Sequence, residues 1–181
     1  MIAIQAAIGT VPLRGLSLKR VRIRALVPAD WSAVAQIYAE GIATRNATFE
    51  TEVPRWEEWD AAHLPEHRFV AEADDELVGW IAALAVSGRR CYAGVAEISA
   101  YVAETARGQG VGAALLEHLI ATTERAGIWT LETGVFPENE PSVSLLKRFG
   151  FREVGLRERI GQLDGVWRDV VLLERRSEVI Q

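Results

Sequence analysis

The chain has almost no sulfur: Cys91 is its single cysteine and Met1 its single methionine in 181 residues. One thiol cannot close an internal disulfide or build a cysteine cage for a metal, so Cys91 reads as a small packed hydrophobe. Histidine is scarce too. His63, His67 and His118 are the only three; none has the HExxH spacing of a zinc site, and no metal is expected. No apolar run approaches the roughly 20 residues that span a bilayer, so no membrane partner is expected. Positive charge is in deficit. Lys and Arg total 20 against 25 Asp and Glu, a formal net charge of −5, which argues against nucleic acid as the main partner. A reducing, cytoplasmic setting is the expectation. What is present is ordinary for a globular domain: 49% hydrophobic and 25% charged residues, enough for one substantial core. Residues 1–18 are apolar and small, without the charged start of a secretory signal. They are expected to form a flexible extension before a single domain over 19–176 and a short tail over 177–181.

Hydrophobic periodicity divides the domain. Residues 21–26 alternate and read as a strand. A helix follows Pro28, with Trp31, Val34, Ile37, Tyr38 and Ile42 on one face. Residues 46–54 form a loop around Phe49, and 56–64 a short helix. Residues 69–73 and 77–84 read as strands joined by Asp74-Asp75-Glu76. A loop over 87–94 carries Arg89, Arg90 and Tyr92, and 96–102 is the next strand. A helix to about residue 126 ends at Gly127, a C-cap residue. A strand over 129–136, a short helix over 141–149 and paired strands over 151–159 and 166–174 complete the order β-α-α-β-β-β-α-β-α-β-β. This predicts one α/β (α+β) domain with a mixed sheet.

The most informative stretch is Arg107-Gly108-Gln109-Gly110-Val111-Gly112. It lies between a strand and a helix. Its glycines let bare N–H groups approach a ligand, and the helix start adds unpaired donors and a positive dipole end. That suits a phosphate or pyrophosphate, with Arg107 adding a charge-assisted contact. The same residues fit G-x-G-x-x-A of dinucleotide folds, but those place the loop after the first strand, and here several strands precede it. A P-loop would need Gly-Lys-Ser/Thr. A tight turn with no ligand remains the bland alternative.

Arg107-x-x-Gly110-x-Gly112, with Asn139 and the later Arg148-Phe149-Gly150-Phe151, resembles the acyl-CoA motifs of the GCN5-related N-acetyltransferases over about residues 20–175. Further residues resemble the phosphinothricin and arsinothricin N-acetyltransferase branch: Ala47 to Glu52, Arg90-Cys91-Tyr92, Val95-Ala96-Glu97, Tyr101-Val102, Asn139-Glu140-Pro141-Ser142 and Gly165 to Val170. The resemblance implies a mostly antiparallel sheet flanked by helices. It implies acetyl-CoA as donor, held by Tyr101, Val102, Ala103, residues 107–112, Asn139 and Ser142. Phe49 and Thr51 resemble the substrate-side loop, and a homodimer is implied. The implied substrates are phosphinothricin, methionine sulfoximine or arsinothricin, hence a role in antibiotic or herbicide resistance.

The chemistry has its own demands. An amine must lose a proton before it attacks a thioester. Glu97, beside Val95 and Ile98 on a strand leading to the glycine loop, is the candidate base, since partial burial makes a carboxylate a stronger proton acceptor. The resemblance places the base at the same position. A backbone N–H near Val102 could stabilise the developing oxyanion. Asn139 serves as a cofactor contact, as an N-cap, or as both. Arg89 and Arg90 could pair with an anionic head group, with Tyr92 as a hydroxyl donor, or Arg89 could simply be solvated. Many relatives carry a proton-donating tyrosine in the helix after Asn139; Ser142 to Lys147 contain none, and Leu146 stands where some have histidine. The alternatives are acetylation of a polyamine or a protein N-terminus, a non-catalytic acyl-CoA sensor, and dinucleotide binding.

Overall fold

A computed structural model describes residues 2–3 and 21–180. The flexible extension expected over 1–18 therefore lies outside the described residues, except for a two-residue strand, β1 (Ile2–Ala3). After it come β2 (Arg22–Ala25), α1 (Trp31–Ala43), α2 (Trp56–Ala62), β3 (Arg68–Ala73), β4 (Glu76–Ala85), β5 (Val95–Val102), α3 (Val111–Arg125), β6 (Thr130–Val135), α4 (Glu140–Arg148), β7 (Arg152–Leu163) and β8 (Val166–Arg176). The expected order is present, with β1 added in front.

The sheet runs β2-β3-β4-β5-β6-β8-β7. All its pairs are antiparallel except β5–β6 and β1–β5. The β5–β6 pair needs a crossover, and α3 supplies it. Local chemistry explains the hairpins. Asp74 and Asp75 (φ 52° and 65°) turn β3 into β4, and Asp164 and Gly165 (φ 51° and 78°) turn β7 into β8. Two successive positive φ values match the right-handed twist of the flanking strands. The strand expected over 151–159 runs on to Leu163 through a bulge. The register shifts between Arg157 and Gly161, and Arg159 takes φ 47°. The Arg159 N–H donates to Asp169 Oδ1 (2.7 Å), which holds the bulge. The C-terminal tail is docked at its start: Ser177 is buried, and its N–H donates to the Trp129 carbonyl (2.8 Å).

Strand alternation assigns the helices to opposite faces. A Cβ added to Gly79 would meet Val111 and Leu115 of α3. The next residue, Trp80, packs on Tyr38 of α1 (5.5 Å) and Trp59 of α2 (5.6 Å). So α3 covers one side of β4, while α1 and α2 cover the other. Tyr101 of β5 stacks on Trp80 (4.8 Å) and lies tilted against Tyr38 (4.7 Å). By the same alternation Glu97, Ser99 and Tyr101 share the α1–α2 side, and Ile98, Ala100 and Val102 the α3 side.

Candidate active site

The β5–β6 pair is short. Its register covers only Val95–Glu97 against Thr130–Glu132, while β6 continues along β8 to Val135. Beyond Glu97 the two strands part. Ile2 and Ala3 pair in parallel with Ala100 and Tyr101 on the edge that β6 has left. The Ala103 N–H donates to the Val78 carbonyl (2.9 Å). Alternation along β5 therefore turns the Val102 N–H toward the side of the split.

On the α3 side a cavity of about 390 Å³ is lined by Val102, Arg107, Gly108, residues 110–113 and part of α4. Gly110 is the N-cap of α3 at φ 86°, a left-handed conformation that costs an L residue roughly 1–2 kcal/mol. The first amides of α3 have no partner within the helix and open on this cavity. The Arg107 Nε donates to the Val102 carbonyl (3.2 Å), tying the loop to the end of β5. The residues fit a diphosphate: glycine-lined backbone donors, a helix N-terminus and arginine at one place.

Not every expected cofactor residue lines this cavity. Gln109 instead donates from Nε2 to the Thr105 carbonyl (2.8 Å). Tyr101 turns to the opposite face of the sheet. Asn139 and Ser142 are buried, 2% and 0% exposed. Asn139 caps α4, its Oδ1 accepting from the Ser142 N–H (3.4 Å), and its Nδ2 donates to the Asn46 carbonyl (3.2 Å). It thereby ties α4 to the Phe49 loop. The α4 residues that line the cavity are Pro141, Ser144, Leu145 and Arg148. Arg148 brings a second arginine; as part of Arg148-Phe149-Gly150-Phe151 it was legible as motif but not as a cavity residue.

On the opposite face Glu97 borders two further cavities. One of about 390 Å³ is walled by Tyr38, Trp59, Tyr101 and Ser99, with Glu50, Glu58 and His63. A smaller one of about 200 Å³ contains Glu132, Arg157, Ile160 and Val170. Phe49 lines both, packed edge-on against Phe136 (4.9 Å). Glu132 lies opposite Glu97 in the β5–β6 register. Burial, and then the charge of Glu97, push its carboxyl up. Burial also raises the phenols of Tyr38 and Tyr101, so both keep their protons near neutral pH. Thr51 is exposed. Arg89, Arg90 and Tyr92 are exposed in the connection between Leu84, at the cavity wall, and Glu97; Arg90–Tyr92 form a short 3-10 turn. The Arg89 guanidinium lies over the Tyr92 ring (5.6 Å).

Glu132, Arg157 and His63 are among the residues at these cavities that no sequence motif singles out. Glu132 and Arg157 enter through strand pairing, which no local pattern reveals. His63 stands alone at the end of α2 with no motif around it. Among the described residues no group of three or more His, Cys, Asp or Glu is arranged to hold a metal ion, and no helix is long and apolar enough to cross a membrane.

Residues 31–151 match the acetyltransferase (GNAT) family. The chain belongs to that family. Phosphinothricin N-acetyltransferase of Alcaligenes faecalis is 36% identical over 162 residues, covering 84% of this chain and 81% of that protein. The L-methionine sulfoximine/L-methionine sulfone acetyltransferase of Pseudomonas aeruginosa strain PAO1 is 31% identical over 83 residues, covering 46% and 48%. The crystal structure of a GNAT superfamily phosphinothricin acetyltransferase from Sinorhizobium meliloti with AcCoA superposes with a TM-score of 0.77. It is 25% identical and covers 88% of this chain and 95% of that one. This GNAT protein is therefore an acetyl-CoA-dependent N-acetyltransferase. The dinucleotide and non-catalytic sensor readings fall away. Several strands precede the glycine loop, so it is not the first turn of a dinucleotide fold.

Proposed function

We propose that this GNAT enzyme acetylates the amino group of a small amino-acid-like substrate of the phosphinothricin, methionine sulfoximine or arsinothricin type, with Glu97 as general base. The observation that carries it is the split between β5 and β6. The split lies between the diphosphate-fitting cavity on the α3 face and the Glu97 cavities on the other. Bound acetyl-CoA supplies an acetyl thioester. The protein supplies the rest. Arg107, Gly108, residues 110–113 and Arg148 hold the diphosphate. The Val102 N–H, turned to the split, donates to the carbonyl oxygen as it gains charge. Glu97 takes a proton from the ammonium and exposes the lone pair. The aromatic wall of Tyr38, Trp59 and Tyr101 excludes water. Arg90, Arg89 and Tyr92 at the entrance to β5, together with Arg157 beside Glu97, offer partners for the carboxylate and second anionic head. The names of the relatives support this substrate class.

A second reading, acetylation of a polyamine, rests on one observation: Glu50 and Glu58 join Glu97 in the larger cavity, which suits a substrate with extra positive charge. Exposed apolar side chains on β7–β8, Leu156, Ile160, Val166 and Trp167, support the homodimer. Light scattering of the full chain checks that part.

The deciding experiment is a panel of phosphinothricin, methionine sulfoximine, arsinothricin, spermidine and a peptide amine with acetyl-CoA and a free-thiol readout. Turnover of the amino acids, with Arg90→Ala raising their KM far more than that of acetyl-CoA, supports the reading. Turnover of spermidine alone replaces it with the second.

A further inference from the structure

His63 has a defined orientation at the Glu97 cavity. Its ring stacks on Trp59 (4.2 Å between centroids, 25° between planes). Its Nδ1 lies 2.7 Å from the Trp59 carbonyl oxygen. That oxygen can only accept, so Nδ1 carries the hydrogen, and in the neutral ring Nε2 keeps its lone pair. One ring face and one nitrogen are thus committed to α2. Nε2 is the nitrogen that α2 does not engage, and His63 lines the same cavity as Glu97.

From this we propose that His63 Nε2 accepts, from the Glu97 carboxyl, the proton that Glu97 has taken from the substrate's ammonium. The inference rests on the acetyl-transfer reading above and adds a second group to its proton path. The step balances. An N–H bond of the ammonium breaks, its electron pair stays on nitrogen for attack on the thioester, the proton forms an O–H bond on Glu97, and that bond then breaks as the proton forms an Nε2–H bond. The imidazolium then returns the proton to solvent.

The surroundings match the task. The charged and titratable groups around the ring are Glu50 and Glu58 at the cavity wall, Glu97 and Tyr101 of β5, Tyr38 of α1, and Arg68 of β3. Burial is the largest influence on the imidazole and holds it below its ordinary value, so the ring is neutral and receptive at pH 7. Arg68 opposes charging and Glu97 favours it. Once formed, the imidazolium is stabilised by the carboxylates facing it but disfavoured by its burial, so it releases the proton readily. Arg68 is itself anchored: it pairs with Asp60 and lies over the Trp56 and Trp59 rings.

Two measurements test this. For His63→Ala, kcat/KM for the preferred amine at pH 7 is expected to fall at least about tenfold, with acetyl-CoA affinity unchanged; a positioned base typically contributes about 10²–10⁴-fold. Added imidazole is expected to restore part of the loss. Unchanged kcat/KM, or a loss that imidazole does not relieve, overturns the proposal while leaving the parent reading intact as long as Glu97→Gln is impaired. A wild-type chain that acetylates no amine in the panel overturns both. Independently of activity, ¹⁵N-histidine NMR of the full chain is expected to show His63 as the Nδ1–H tautomer at pH 7. An Nε2–H tautomer or a charged ring overturns the proposal.

Discussion

Replacing Glu97 with glutamine tests the chemistry with little disturbance to the fold. Gln is nearly the same size. The backbone of β5 at this point is fixed by register with Leu84 on one side and Glu132 on the other, and the side chain is only partly buried. A loss therefore reports proton transfer rather than packing. A general base is worth about 10²–10⁴-fold, and each tenfold is about 1.36 kcal/mol of barrier. Turnover of Glu97→Gln at pH 7 is expected to fall at least about 10²-fold, roughly 2.7 kcal/mol. The residual activity then depends on amine that has already lost its proton. The amine of a free amino acid titrates above the value of about 8 of a peptide α-amino group, so well under about one molecule in ten is free at pH 7 and the variant's rate rises nearly tenfold per pH unit until the amine begins to titrate. Glu132 sits beside Glu97 in the same cavity and can supply part of the residual rate. The double variant Glu97→Gln/Glu132→Gln is expected to be slower than the single one. The assay is thiol release at saturating acetyl-CoA from pH 6 to 9.5, with acetyl-CoA affinity measured separately. Wild-type turnover in Glu97→Gln at pH 7 refutes the reasoning.

Three further outcomes are expected. A Cβ on Gly94 would lie 2.1 Å from the Trp129 ring, while the Gly94 carbonyl accepts from the Trp129 and Thr130 N–H groups (2.8 and 3.0 Å). Gly94→Ala should cost at least about 2 kcal/mol, lowering Tm by roughly 4–8 °C; an unchanged melting curve contradicts this. Asp30 is held below its ordinary value of 3.8, chiefly by its hydrogen bonds from Arg24 (2.7 and 2.8 Å). A carboxyl depressed in the folded state stabilises above its unfolded value, and that stability is lost as pH falls through the folded one. Asp30→Asn should therefore melt earlier than wild type at pH 7, with the difference shrinking as pH drops below 3.8; a constant difference argues against the linkage. Finally, Ile2 and Ala3 hold the edge of β5 beside the split. Deleting residues 1–20 should raise acetyl-CoA affinity by calorimetry, and an equal or weaker affinity shows that the two residues do not compete with the coenzyme.

Local signals in this chain read well where one element decides the outcome. Asp164-Gly165 is the hairpin turn, Gly127 ends α3 at φ 84°, and Gly110 takes the left-handed conformation at its start. Glu97 was legible from its place on the strand before the glycine loop as well as from resemblance, Phe49 from resemblance alone, and they line the same cavities. The bulge at Arg159 was not legible, because it depends on an acceptor on the neighbouring strand. Asn139 has a side chain suited to two roles; the structure shows the cap, with the side chain also bonded to the Asn46 carbonyl.

The chain by itself determined its elements, its glycine loop and its family, since each rests on the chemistry of adjacent residues. Only the tertiary structure decided which charges meet. The pairing of Glu97 with Glu132, the approach of Arg157 and the aim of the His63 ring all follow from strand register and helix docking. Those are set by burial of apolar surface summed over the whole sheet, and no short stretch of sequence carries that sum.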